Sequence, residues 1–255
     1  MILPGSYANG FAPRDGRPLF PELWRGCVGA WAPCLGPTGV TLRDWSGLAR
    51  HGTLVSGGQF MVSSRFAILL NGTDQFLSLS AVVLPRPFTA SFWINPTSVS
   101  GDIRLLNPSV GTYPQFFCRI NSGNFEVLNA GGDTWLTLAT GITANVWTHL
   151  CLTATTTETV GFVNGSERNT VAAAAGIIDN LTFGSRYGSF GQFFPGLFDD
   201  IMLCNRVRGR REIRTLASRR GIAYELAPRR RSALVAGFRA HWVRRRSLVI
   251  GGGIN

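Results

Sequence analysis

The chain has 255 residues, 45% of them hydrophobic and only 15% charged, with 31 glycines and a net charge of +11. That composition excludes a disordered chain and a coiled coil, and leaves room for one large β domain burying about 75% of its unfolded surface. The charge is uneven: residues 206–246 hold fourteen arginines against Glu212 and Glu225, whereas residues 1–205 hold the other eleven against twelve acids. There is no lysine, so apart from the histidines every side-chain cation is a guanidinium, a group shaped to grip carboxylates and phosphates in pairs.

Residues 1–22 carry Pro4, Pro13, Pro18 and Pro21 with Gly5, Gly10 and Gly16, which predicts an extended N-terminal arm. Met1-Ile2-Leu3-Pro4-Gly5 has no basic leader and no long apolar stretch, so no signal peptide is expected, and no run is long enough to span a membrane. Five scattered cysteines (Cys27, Cys34, Cys118, Cys151 and Cys204) show neither metal spacing nor a compact disulfide framework, and read as buried, reduced thiols.

Short strand candidates then follow at 26–31, 66–70, 75–79, 88–94, 103–106, 115–120, 124–128, 135–138, 147–153, 159–163, 181–183 and 197–204. Phe76-Leu77-Ser78-Leu79 and Thr89-Ala90-Ser91-Phe92-Trp93-Ile94 alternate with period two, as strands with one buried face do. Asn164-Gly165 predicts a type I′ hairpin. With no helices between the strands, the pattern favours a sandwich over an α/β fold. The single helix candidate is 210–219, where Ile213, Leu216 and Ala217 form a narrow apolar stripe ended by Gly221.

Several motifs, in order, resemble the laminin-G-like, concanavalin A-like family, in particular its pentraxin-related branch. They are Leu42-Arg43-Asp44-Trp45-Ser46-Gly47 with His51-Gly52-Thr53-Leu54, Leu70-Asn71-Gly72-Thr73-Asp74-Gln75-Phe76-Leu77, and Phe88-Thr89-Ala90-Ser91-Phe92-Trp93-Ile94. Trp147-Thr148-His149-Leu150, Gly161-Phe162-Val163-Asn164-Gly165, and Leu181-Thr182-Phe183-Gly184 with Phe194-Pro195-Gly196 and Asp199-Asp200-Ile201 complete the set. Residues 206–213 match the family's closing motif in part, with Arg208 and Gly209 departing from it. The resemblance implies an all-β jelly-roll sandwich over 23–220, flanked by the extended arm over 1–22 and by an Arg-rich C-terminal extension over 221–255 that the charge split marks. It places Trp31, Trp93 and Trp147 in the core, and His149 in a packing role. It also implies a structural calcium ion held by Asp44 and Asp200 with Asp74 or Asn71; the competing reading has Asp44 capping its own turn, and Asp199 and Asp200 pairing with arginines.

The family's glucanases carry two carboxylates on one strand face, a pattern this chain lacks: Glu126 stands alone in its strand and Asp133 sits in a Gly-rich turn. No Ser-His-Asp arrangement is legible either, so the chain is expected to be non-enzymatic. Trp135 and Tyr187 are the aromatic residues expected to bind a ligand such as a cell-surface glycan. Residues 221–232 resemble the tails of laminin-G-like proteins encoded in tailed-phage structural genes. Apolar blocks at 234–238 and 248–250 argue against a solvated tail, and the lack of interleaved aromatics argues against nucleic acid. The expectation is a virion structural protein, a capsid decoration or tail component made in the host cytoplasm. Arg229, Arg230, Arg231, Arg244, Arg245 and Arg246 would anchor it to other virion subunits, and a homo-oligomer is expected. The alternative is a carbohydrate-binding module for host recognition.

Overall fold

A computed structural model describes residues 18–33, 39–57, 59–62, 66–108, 116–128, 134–172, 178–186 and 191–225. Sixteen strands run in chain order: β1 (Cys27–Trp31), β2 (Thr41–Leu42), β3 (Gly52–Val55), β4 (Gln59–Val62), β5 (Phe66–Asn71), β6 (Phe76–Leu84), β7 (Phe88–Pro96) and β8 (Asp102–Pro108). Then come β9 (Cys118–Asn121), β10 (Asn124–Leu128), β11 (Trp135–Ala139), β12 (Thr148–Ala154), β13 (Glu158–Val163), β14 (Ser166–Ala172), β15 (Ile178–Phe183) and β16 (Pro195–Cys204), before one helix, α1 (Arg210–Ser218).

The strands form two antiparallel sheets. The first runs β14-β13-β12-β7-β16-β5-β4, with β1 also pairing β16; the second runs β11-β10-β9-β8-β15-β6-β3-β2. All twelve anticipated strands are present. β2, at two residues, is too short to show a period, and β14 is exposed along nearly its whole length and so shows no apolar alternation. The Asn164-Gly165 turn has positive φ at both residues (50° and 76°), as a type I′ hairpin requires.

The core lies between the sheets, filled by alternate side chains. Phe88, Ala90, Phe92 and Ile94 of β7 and Leu150 and Leu152 of β12 meet Ile103 and Leu105 of β8, Ile120 of β9 and Phe125 of β10. Because strand side chains alternate, their neighbours point outwards on each sheet. On the first sheet that outer face is covered: Ile213 of α1 packs on Cys151 and Phe162, and Leu216 joins a second cluster with Trp24, Trp45, Met202 and Tyr224. Trp31 is in the inner core, as anticipated. Trp93 is buried as well, but on the outer face of the first sheet, where it donates its Nε1–H to the Leu216 carbonyl at 3.4 Å. Trp147, one residue before β12, is half-buried under the Arg220 guanidinium at 3.9 Å.

A 3-10 turn, Pro21–Trp24, brings the described N-terminal end against the residues that follow α1. The Leu19 N–H donates to the Glu225 carbonyl at 2.7 Å, Trp24 Nε1–H donates to the Ala223 carbonyl at 2.7 Å, and the Trp24 and Tyr224 rings meet edge to face at 5.3 Å. The two ends of the described chain therefore lie side by side over the first sheet, leaving the outer face of the second sheet on the opposite side of the molecule. Among the described residues no helix is long and apolar enough to cross a membrane.

Candidate functional site

On the second sheet, β8, β9 and β10 each interrupt an apolar run with one charged residue: Arg104 between Ile103 and Leu105, Arg119 between Cys118 and Ile120, and Glu126 between Phe125 and Val127. With the apolar neighbours in the core, these three project from the outer face, and the strand registers align them: Arg104 opposite Arg119, Arg119 opposite Glu126. Asp102, two residues before Arg104, shares that face.

The four charges form one network. A single Asp102 oxygen, Oδ2, accepts from Arg104 Nη2 at 2.9 Å, from Arg119 Nη1 at 2.8 Å and from Gln192 Nε2 at 2.9 Å. Arg119 Nε donates to Glu126 Oε2 at 2.8 Å, and Arg104 Nε donates to Gln192 Oε1 at 3.0 Å. The network is nearly dry, with Arg104 at 4% and Glu126 at 7% exposure. Burial lowers the Arg104 pKa to about 10 even with Asp102 beside it, which leaves the guanidinium charged at neutral pH.

The other Asp102 oxygen, Oδ1, is buried with no hydrogen-bond partner. A buried carboxylate oxygen left unmet costs free energy comparable to a lost hydrogen bond, so this atom is an unmet acceptor inside the network. Above the network lies Trp135, half-buried on β11, with the Arg119 guanidinium 3.8 Å and the Arg104 guanidinium 4.7 Å from its ring centroid. Trp135, one of the two aromatics expected to bind a ligand, stacks on this network. It is an aromatic lid whose ring is ordered by two cations and whose remaining surface is partly open.

The other anticipated residues fall elsewhere. Asp44 is 2% exposed, and both its oxygens are filled: Oδ1 accepts from the N–H groups of Ala30 (3.0 Å) and Ser46 (2.8 Å), Oδ2 from the Ser46 hydroxyl (2.7 Å) and the Arg50 N–H (3.0 Å). Four donors converging on one carboxylate do not fit a calcium ion there; they fit the turn-capping alternative. Asp74 is exposed and accepts from Asn71 Nδ2 at 2.8 Å. Asp200, held at φ 46°, accepts the Gly221 N–H, while Asp199 binds Arg220 at 3.1 Å. Among the described residues no group of three or more His, Cys, Asp or Glu side chains is placed to hold a metal ion. Tyr187 and the six arginines of the anticipated anchor (Arg229, Arg230, Arg231, Arg244, Arg245 and Arg246) lie outside the described residues.

Sequence reasoning passed over Asp102, Arg104, Arg119 and Gln192. The signal for the arginines was present: a charge flanked by apolar residues within a strand marks the outer face of a half-buried sheet. Nothing local announces Gln192, which reaches Arg104 from 88 residues away.

The family model of the concanavalin A-like lectin/glucanases superfamily matches residues 71–214. The chain belongs to this superfamily. No curated protein matches it by sequence. Among solved structures, domain 4 of AbnA, a GH43 extracellular arabinanase from Geobacillus stearothermophilus in complex with arabinotriose, is similar with a TM-score of 0.60 at 15% identity, over 75% of this chain and 98% of that one. The botulinum neurotoxin serotype D ligand binding domain in complex with N-acetylneuraminic acid gives a TM-score of 0.61 at 13% identity, over 78% of this chain and 52% of that one. The binding domain of Paraclostridial Mosquitocidal Protein 1 gives 0.59 at 16% identity, over 76% and 52%. These likenesses extend the lectin-like jelly roll to this chain as a fold.

Proposed function

We propose that this superfamily member is a non-enzymatic carbohydrate-binding module whose ligand site is the outer face of β8–β11 around Trp135. One observation carries the reading: a buried network of two arginines and two carboxylates that leaves Asp102 Oδ1 without a partner beneath a half-buried tryptophan. Sugar recognition needs that pairing, a fixed array of donors and acceptors for hydroxyls and an aromatic surface for the apolar ring face. Both carboxylates are tied to Arg119, which favours holding a ligand over proton transfer. Two neighbours in fold were solved with a saccharide bound, arabinotriose in one and N-acetylneuraminic acid in the other, and this supports the class of ligand.

A glycan array probed with the full chain, with and without a chelator, tests the proposal. At least one glycan should bind, and Trp135→Ala should weaken it by about tenfold, the equivalent of the ~1.4 kcal/mol an aromatic contact supplies. An array without a hit, or binding indifferent to Trp135→Ala, would refute it.

The charge split favours a second, compatible reading in which the module is displayed on a virion and fastened by its Arg-rich extension. The described chain ends on the side away from the Trp135 face, the arrangement an anchored and displayed binder needs. Deletion of 226–255 spares the buried residues Ile222, Ala223 and Tyr224, and should yield a folded protein that no longer sediments with phage particles. Unchanged incorporation would remove the anchoring role.

A further inference from the structure

On the outer face of the first sheet, one buried cation is answered by sulfur. Arg208 is 2% exposed. Its Nε and Nη2 donate to the Cys204 sulfur at 3.2 and 2.8 Å, and Nη2 also reaches the Leu23 carbonyl at 2.5 Å. Nη1 is buried without a hydrogen-bond partner, and among the described residues no carboxylate forms a salt bridge with this guanidinium. A buried guanidinium without an anion is strongly unfavourable, and the anion within reach is a Cys204 thiolate. At Cys118 and Cys151 burial is the largest influence, and both thiols are pushed far up even though Arg104 and Arg208 respectively act to lower them. Cys204 moves the other way, held below the ordinary thiol value by the adjacent Cys27 and by the Arg208 guanidinium against its own burial, while Cys27 is held well above it.

Cys27 is the cross-strand partner. It lies opposite Cys204 in the β1–β16 register, and the Asn205 N–H donates to the Gly26 carbonyl at 2.9 Å. That bond makes Cys27 and Cys204 a non-hydrogen-bonded pair just before a register shift between Cys27 and Gly29; in a regular ladder such a pair has Cα atoms about 4.5 Å apart. The separation falls within the roughly 4.4–6.8 Å over which two cysteines can be bridged. Cys27 is partly exposed while Cys204 is buried, so a reagent meets the pair at Cys27.

We propose that Cys27 and Cys204 form an oxidisable dithiol, a modification site at which a hydroperoxide produces a cross-strand disulfide between β1 and β16. Cys27 gives its proton to solvent, and the Cys27 thiolate attacks a peroxide oxygen. The O–O bond breaks, Cys27 becomes a sulfenic acid, and the departing hydroxide takes a proton from solvent to give water. The Cys204 thiolate, held throughout by Arg208, then attacks the Cys27 sulfur, forms the S–S bond and expels hydroxide. The two sulfurs lose two electrons in all, and the peroxide gains them.

The test uses the full chain at neutral pH with stoichiometric hydrogen peroxide, alkylation under denaturing conditions, and peptide mapping without reduction. The expected product is a reducible Cys27–Cys204 peptide pair, with Cys118 and Cys151 recovered as alkylated thiols. Cys204→Ser should stop at the Cys27 sulfenic acid, trapped by dimedone, and Cys27→Ser should form no disulfide at Cys204. The proposal is overturned if Cys27 and Cys204 are both recovered alkylated, if Cys27 links to any other cysteine, or if the wild-type chain accumulates a sulfenic acid without the bridge.

Discussion

Replacing Asp44 separates a turn-capping carboxylate from a calcium ligand. Its two oxygens accept four hydrogen bonds, three from backbone N–H groups and one from the Ser46 hydroxyl. In Asp44→Asn the amide NH2 is best placed at the Oδ2 position, because the Ser46 hydroxyl can turn and accept, leaving only the Arg50 N–H facing a donor. One charge-assisted bond is then lost and the others weaken, a cost of about 2–3 kcal/mol. Asp44→Ala strips all four and should cost about 4–5 kcal/mol, in the range reserved for broken buried networks. For a domain of this size, Asp44→Asn should lower the melting temperature by about 5–10 °C. Urea unfolding followed by tryptophan fluorescence, run in parallel in calcium and in chelator, measures both effects. The losses should be the same in either buffer. An Asn variant within about 0.5 kcal/mol of wild type, or a calcium-dependent wild-type stability that the variant abolishes, would refute the reasoning.

Three further outcomes follow from buried polar groups and backbone geometry. Burial lowers the His149 pKa to about 3, with Arg208 contributing, so between that value and the ordinary 6.5 the unfolded chain binds a proton that the folded chain does not. Stability should be full above about pH 6.5 and fall by up to about 1.4 kcal/mol per pH unit below it; His149→Gln should flatten that part of a urea-midpoint profile. Arg220→Ala removes the cation 3.1 Å from Asp199, which is 1% exposed, and the stack on Trp147, and should cost about 3 kcal/mol in chemical denaturation, whereas Arg220→Lys should recover part of it. Gly196 has φ 135°, and a Cβ there would stand 2.3 Å from the Asn95 carbonyl oxygen in the neighbouring strand. Gly196→Ala should therefore cost at least ~3 kcal/mol or prevent folding, as read by yield and melting temperature.

The candidate site was half legible. Trp135 stood out as an aromatic beside a turn, and Glu126 as a lone acid in a strand, but their meaning depended on Arg104 and Arg119 reaching the same face. Asp44 was legible as a carboxylate in a turn; whether it met a metal or its own backbone turned on the direction of four donors, one of them from Ala30 in another strand. Cys27 and Cys204 lie 177 positions apart and looked like unrelated thiols until the β1–β16 register set them opposite each other.

What the sequence by itself determined is the architecture. Period-two alternation, the Asn164-Gly165 turn and the absence of helical runs are local properties, and side-chain parity along a strand follows from backbone geometry alone. Tertiary structure alone decided which residues became neighbours: the network under Trp135, the Cys204 sulfur facing Arg208, and the placement of both described chain ends over the first sheet. Those pairings depend on strand order and register, which are fixed by how the whole core packs and leave no mark within any single strand.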